Sequence, residues 1–244
     1  MTSALHVIRS TPSAAGPSVA DATLAAQPPL DEYYNSLFTA FGPQRWWPGR
    51  TPFEIIVGAI LTQNTSWKNV EIAIANLRQA RLLSPKAIHN APLSQLQRLI
   101  RPSGYFRQKA RKLKAFGDFL HAEFGGSLKR MFAIPTIALR PKLLSIWGIG
   151  PETADSILLY AGGHEVFVVD AYTRRVLARH GWIADAAKAK YDDIRWIFER
   201  QFSGNTQVFN EFHALIVRVG KQYCRAREPL CDACPLGRYL EEGR

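Results

Sequence analysis

Apolar positions recur along most of this chain at helical spacing. Leu30, Tyr33, Tyr34, Leu37 and Phe41 fall on one face of a helix over 30–41, which Gly42-Pro43 stops. Thr51-Pro52-Phe53-Glu54 supplies an N-cap, a proline at the first helical position and an acid in the first turn. It opens an almost wholly apolar helix that ends at Leu61. Helical patterns follow over 66–77, from the Ser84-Pro85 cap to His89, and from Pro92 through Leu93, Leu96, Leu99 and Ile100. Others cover 108–124, a pair of helices over 143–161, then 171–180, 191–202 and 209–223. The run Val166-Phe167-Val168-Val169 is too short to build a sheet. The fold class is all-α.

Composition narrows the class of partner. The 244 residues carry a formal charge of +11, which favours a polyanion. Clustering is more informative than the total. Seven basic residues and no acid lie between Arg98 and Lys114, interrupted by Tyr105 and Phe106. Alone, that run reads equally well as a solvated helix face or as a phosphate-tracking surface bearing Arg107, Lys109 and Arg111. Residues 1–28, rich in Ala, Ser and Pro, read as a disordered tail without a signal peptide's continuous apolar core. No apolar run approaches a membrane span. The expected location is cytoplasmic, at the nucleoid.

The stretch Leu144-Ser-Ile-Trp-Gly-Ile-Gly-Pro-Glu-Thr-Ala-Asp-Ser-Ile-Leu158 carries the first chemical signal. Gly148 and Gly150 turn the backbone between two helices and leave amides free at a helix opened by Pro151. Such a terminus holds phosphate without a lysine, and Thr153 and Glu152 lie in its first turn. Twelve residues further on, the apolar run ends on a lone carboxylate, Asp170, followed by Tyr172, Arg174 and Arg175. An Asp there is ordinarily an N-cap, and a cap and a catalytic acid are compatible roles, because capping bonds keep the acid ionised. Arg175 suits a phosphate or a surface ion pair equally.

The glycine turn, the Val-Asp-x-Tyr-x-x-Arg-Val pattern and the cysteines behind them resemble the endonuclease III superfamily of DNA glycosylases over roughly residues 30–240. The resemblance implies two helical lobes built from a discontinuous chain. One is a six-helix barrel over 49–162 with the helix-hairpin-helix at 143–161. The other combines 29–48 with 163–244 and carries a C-terminal Cys loop. It implies a monomer that acts on double-stranded DNA with a damaged base, flips that base out and removes it with Asp170 as the catalytic acid. Gln63, in Leu-Thr-Gln-Asn-Thr65, stands where the family fills the vacated stack, although a helix C-cap is the ordinary reading.

Within the superfamily, Trp46-Trp47-Pro48, Leu-Thr-Gln-Asn-Thr65 and Arg101-Pro-Ser-Gly-Tyr-Phe-Arg-Gln-Lys-Ala110 resemble the 3-methyladenine glycosylase branch. Adjacent tryptophans cannot easily both face a core, and an aromatic slot suits a cationic alkylpurine. The branch's late-helix lysine is Leu215 here. Bifunctional members carry a lysine at the place of Glu152, and a carboxylate forms no imine. The resemblance therefore implies a monofunctional glycosylase, with Lys142 and Lys221 as the available amines if strand cleavage were retained. His213 and the other histidines read as structural or solvated.

Cys224-x6-Cys231-x2-Cys234 reproduces three ligands of the family's iron-sulfur loop, with Leu240 in place of the fourth. Three readings stay open: the cluster is lost, Glu241 or an external thiol completes it, or the three thiolates hold another metal such as zinc. Rival functions are an oxidised-pyrimidine glycosylase with AP-lyase activity, a DNA-shape-binding module without chemistry, and a metal-dependent regulator.

Overall fold

A computed structural model of the chain describes residues 28–202 and 204–240. The expected tail, apart from Pro28, lies outside the described residues. The elements are α1 (Leu30–Phe41), α2 (Pro52–Leu61), α3 (Trp67–Gln79), α4 (Pro85–Asn90), α5 (Leu93–Leu99) and α6 (Phe106–Phe124). They continue with α7 (Leu128–Phe132), α8 (Thr136–Leu144), α9 (Pro151–Ser156), α10 (Ala171–Arg179), α11 (Tyr191–Gln201) and α12 (Thr206–Gln222). There is no strand among the described residues, so the all-α reading holds.

Local chemistry sets the boundaries. Thr51 Oγ1 accepts from Glu54 N at 3.2 Å, and Pro52 occupies the first turn of α2. The hairpin's first helix begins at Thr136 and carries Pro141 inside it, seven residues before the expected start. Proline-interrupted spacing hid it. The short α7 was also missed; it is capped by Ser127 Oγ, which accepts from Arg130 N, and it buries Met131. After α9 the backbone widens into a π-helical turn, Ile157–Ala161, where an uninterrupted α-helix was expected.

The elements pack around one contiguous apolar core. Helices α2, α3, α5 and α6 surround each other, α4 and α7 lie on α6, and α8 pairs with α9. Helices α1 and α10 lie on α12. The π-helical turn touches both α2 and α12 and so joins these two packing groups. Two polar ties lock the assembly. Arg140 of α8 grips the fully buried Asp155 of α9 through two bonds of 2.7 and 3.1 Å and reaches Asp192 of α11 at 2.8 Å. Tyr33 of α1 meets His180 Nδ1 at 2.7 Å and accepts from Trp182 Nε1 at 2.8 Å.

Candidate active site

Asp170 is placed by a segment that has no regular structure of its own. Val166, Phe167, Val168 and Val169 are extended and buried, and Phe167 stacks on Phe198 with centroids 3.8 Å apart. Buried amides need acceptors. Phe167 N donates to Glu199 Oε1 at 2.9 Å, and Val169 N donates to Tyr191 Oη at 3.2 Å. Side chains of α11 thus replace the partner strand, and the run ends rigidly at the N-terminus of α10.

There Asp170 Oδ1 accepts from Thr173 N at 2.8 Å and from Thr173 Oγ1 at 3.0 Å. The capping role is real, and it leaves Oδ2 free. Oδ2 lies 3.5 Å from Nε2 of His213, a nearly buried side chain of α12. On the other side, His213 Nδ1 meets the Tyr160 hydroxyl at 2.5 Å. Burial pushes the Asp170 carboxyl up, but His213 and the two Thr173 bonds outweigh it and hold the group below its ordinary value. It is a carboxylate at neutral pH.

His213 and Tyr160 are the residues that sequence reasoning missed. The histidine stands on the apolar face of α12, where a lone imidazole ordinarily reads as core. Tyr160 sits on the π-helical turn, whose wider pitch no apolar spacing revealed.

The hairpin faces this acid. Gly148 has φ +81, and a Cβ there would stand 2.5 Å from Cγ of Lys112. The amides of Gly148 and Gly150 make no hydrogen bond among the described residues. Glu152 is exposed in the first turn of α9. Crowding there and the charge of Asp170 push its carboxyl up, while His213 and Arg174 pull it down. Lys142 is ion-paired with Glu123 at 2.8 Å, and Lys221 is exposed at the end of α12.

Gln63 is fastened to the hairpin. Its Nε2 donates to Thr153 Oγ1 at 2.9 Å and to Gly148 O at 3.4 Å, and Lys112 Nζ donates to its Oε1. Thr153 is buried, so its hydroxyl serves Gln63, and the side chain expected at a phosphate faces inward.

Three further expectations are corrected. Lys109 is 2 % exposed and donates to Ser103 O at 2.6 Å; burial, then Lys112, lower it to about 8. Its ammonium is an interior hydrogen-bond donor, whereas Arg107 and Arg111 are exposed. Arg175 donates to Cys224 O at 2.7 Å and Gly220 O at 2.9 Å and lies over Tyr172, so it is a tie between α10 and the chain after α12. Trp46 and Trp47, which the sequence suggests cannot easily both face a core, both pack against it with buried indole nitrogens. Trp47 fits against Gly58, whose missing Cβ leaves room for Nε1 at 3.2 Å, and its ring lies 5.1 Å from that of Tyr160.

The cysteines converge on a small cavity that Leu236 and Leu240 also line. Cys224 Sγ accepts from Arg179 at 3.0 Å, and Cys234 N and Gly237 N close the loop on Cys231 O and Cys234 O. Among the described residues no three metal-ligating side chains are arranged to hold an ion. Glu241 lies outside the described residues. With an arginine on one sulfur and a leucine in the fourth corner, the donor set does not fit a four-cysteine cluster.

Among the described residues no helix is long and apolar enough to cross a membrane. The model of the "HhH-GPD superfamily base excision DNA repair protein" matches residues 57–199, from α2 into α11. A candidate DNA repair glycosylase of Methanocaldococcus jannaschii is 48% identical over 204 residues, 83% of this chain and 91% of that one. Endonuclease III of Sulfolobus acidocaldarius is 31% identical, covering 79% and 82%. A 3-methyladenine DNA glycosylase of H. pylori, solved with 1,N6-ethenoadenine, superposes with a TM-score of 0.68 at 30% identity, over 79% of this chain and 95% of that one. With free amides at a hairpin, a partly buried carboxylate near it and these relatives over most of its length, the chain belongs to the HhH-GPD superfamily and is a base excision DNA glycosylase.

Proposed function

We propose that this enzyme is a monofunctional glycosylase that releases alkylated purines, 3-methyladenine first among them, from double-stranded DNA. The observation that carries the reading is the pairing of an ionised Asp170 with a hairpin that offers Glu152 where a nucleophilic amine would be needed. The carboxylate stabilises positive charge on the deoxyribose as the C1′–N bond lengthens and the base leaves with its electron pair. Water then adds at C1′ and passes its proton to the Asp170 carboxylate, which releases it to solvent. Neither Lys142, held by Glu123, nor Lys221 supports an imine route. The likeness to the H. pylori enzyme, together with Trp47 beside Tyr160 and Trp46 against Trp47, supports an aromatic-walled base site.

In this reading the chain acts as a monomer with two lobes, 49–162 and 29–48 with 163–244, and the lesion enters between them. Phosphates meet the amides of Gly148, Gly150, Glu152 and Thr153 and the exposed Arg107 and Arg111. Gln63 and Tyr105, which is 67% exposed at the start of α6, are the side chains available to occupy the vacated stack.

The test is single-turnover base release from duplexes carrying 3-methyladenine, ethenoadenine, thymine glycol or uracil, with nicking scored before and after alkali. Alkylpurine release that nicks only after alkali, and that is abolished by Asp170→Asn, is the expected result. Thymine glycol release with direct nicking would overturn it.

A further inference from the structure

His213 and Tyr160 form a line of buried polar groups that ends on the free oxygen of Asp170. Tyr160 Oη lies 2.5 Å from His213 Nδ1, and His213 Nε2 lies 3.5 Å from Asp170 Oδ2. All three side chains come from different elements: the π-helical turn, α12 and the N-terminus of α10. His213 Nε2 is sealed from solvent and meets no hydrogen-bond geometry with any other described group. A buried ring nitrogen without a partner is costly unless a nearby group takes it up. Among the described residues, Asp170 Oδ2 is the acceptor that stands 3.5 Å from it.

The direction of the line follows from the hydroxyl. Desolvation, with the charges of Asp170 and Glu152 behind it, pushes Tyr160 well above its ordinary value, so the phenol keeps its proton. Donation of that proton to Nδ1 fixes the imidazole tautomer with its hydrogen on Nε2, aimed at the carboxylate. Thr173 already holds Oδ1 from the α10 side. The acid is then gripped at both oxygens.

Resting on the catalytic role proposed above for Asp170, we infer that His213 is a positioning residue: its Nε2–H, backed by the Tyr160 hydroxyl, orients Asp170 Oδ2 toward the reacting sugar and keeps it charged. The other groups that face Asp170 are Glu152 from α9, Thr173 from α10 and Tyr160 from the π-helical turn, with Arg174 beside Glu152. Glu152 opposes ionisation of the acid, and His213 counters it. Removing the imidazole donor therefore moves the protonation of Asp170 to higher pH.

The experiment measures base release from dimethyl sulfate-treated duplex DNA between pH 5 and 9, for wild type, His213→Phe, His213→Gln and Tyr160→Phe. Melting curves and affinity for a duplex with a tetrahydrofuran abasic site are recorded alongside. His213→Phe is expected to slow release on the order of 30-fold and to move the acidic limb of the profile up by about one unit. Affinity for the abasic duplex stays within about threefold, since charged-bond loss at the acid leaves the phosphate contacts intact. His213→Gln, which retains an N–H donor, recovers most of the rate, and Tyr160→Phe slows release a few-fold. A wild-type acidic limb in both His213 variants overturns the proposal; if His213→Phe fails to fold, His213→Gln and Tyr160→Phe decide it by the same limb. A wild type that releases no base from this DNA defeats the alkylpurine reading instead. In that event the line is tested by proton NMR of the imidazoles. A low-field Hε2 signal lost in Asp170→Asn supports it, and its absence in wild type refutes it.

Discussion

The hairpin end and the cysteine end of this molecule keep their polar groups in opposite ways. Around Gly148 and Asp170, the amides of Gly148 and Gly150 and the Glu152 carboxylate make no hydrogen bond among the described residues, and the bonds that do form fasten Gln63, Thr153 and Lys112 to one another. Around Cys224 almost everything is consumed internally. Arg175 and Arg179 bind carbonyls and a sulfur, and the loop closes on Cys231 and Cys234. The first region is built to receive something. The second is built to hold itself together, with arginine hydrogen bonds where the sequence resemblance implies an iron-sulfur loop.

The sharpest way to break this comparison is Asp170→Asn. Loss of the charge is expected to cut base release on the order of 10³-fold while melting stays near wild type, read by single-turnover release and circular dichroism. An equal fall in stability would make Asp170 chiefly a cap. Next come two lysines less than a turn apart on α6. Lys109→Met strands the Ser103 carbonyl and should lower stability by about 2 kcal/mol, measured by urea denaturation. Lys112→Met should leave stability nearly unchanged and weaken binding to an abasic duplex, because Gln63 loses its tether.

A pH effect belongs to the tie between α1 and the end of α10. Burial lowers His180 from 6.5 to about 4, so between those values the unfolded chain takes up a proton that the folded chain refuses. Stability is therefore full above pH 6.5 and falls by about 3 kcal/mol as the pH drops toward 4. His180→Gln should flatten that slope in pH-dependent denaturation. The smallest effect is expected at the other end: Cys231→Ser should change stability by no more than about 0.5 kcal/mol, with or without chelator. A large loss on chelation would restore a metal to the loop.

Much of this was legible beforehand, for identifiable reasons. α1 and α2 were readable to within a residue because Gly42-Pro43 and Thr51-Pro52 are strong punctuation. Asp170 could be found because an apolar run ends on it. Pro141 broke the apolar spacing and concealed the start of α8, and the five residues of α7 are too few for a period to emerge. Lys109 was read with its basic neighbours, although it stands on the face of α6 that also buries Ala110, Leu113, Phe116 and Leu120. His213 was invisible as part of the site because its relation to Asp170 spans 43 positions of chain and depends on packing between α10 and α12.

The π-helical turn at Ile157–Ala161 works as a rotational setting. Each residue of an α-helix advances the side-chain direction by about 100°, and a π turn carries an additional residue over the same stretch of axis. Removing one residue there would tighten the coil and swing everything beyond it by roughly that angle, with Tyr160 leaving His213 and the chain to Asp170 entering at the wrong bearing. A single-codon deletion in this buried segment, even one that spares Tyr160 itself, would then disable the enzyme as thoroughly as the loss of its acid. Apart from the Tyr160 hydroxyl, the constraint on this stretch is accordingly one of length rather than of chemistry.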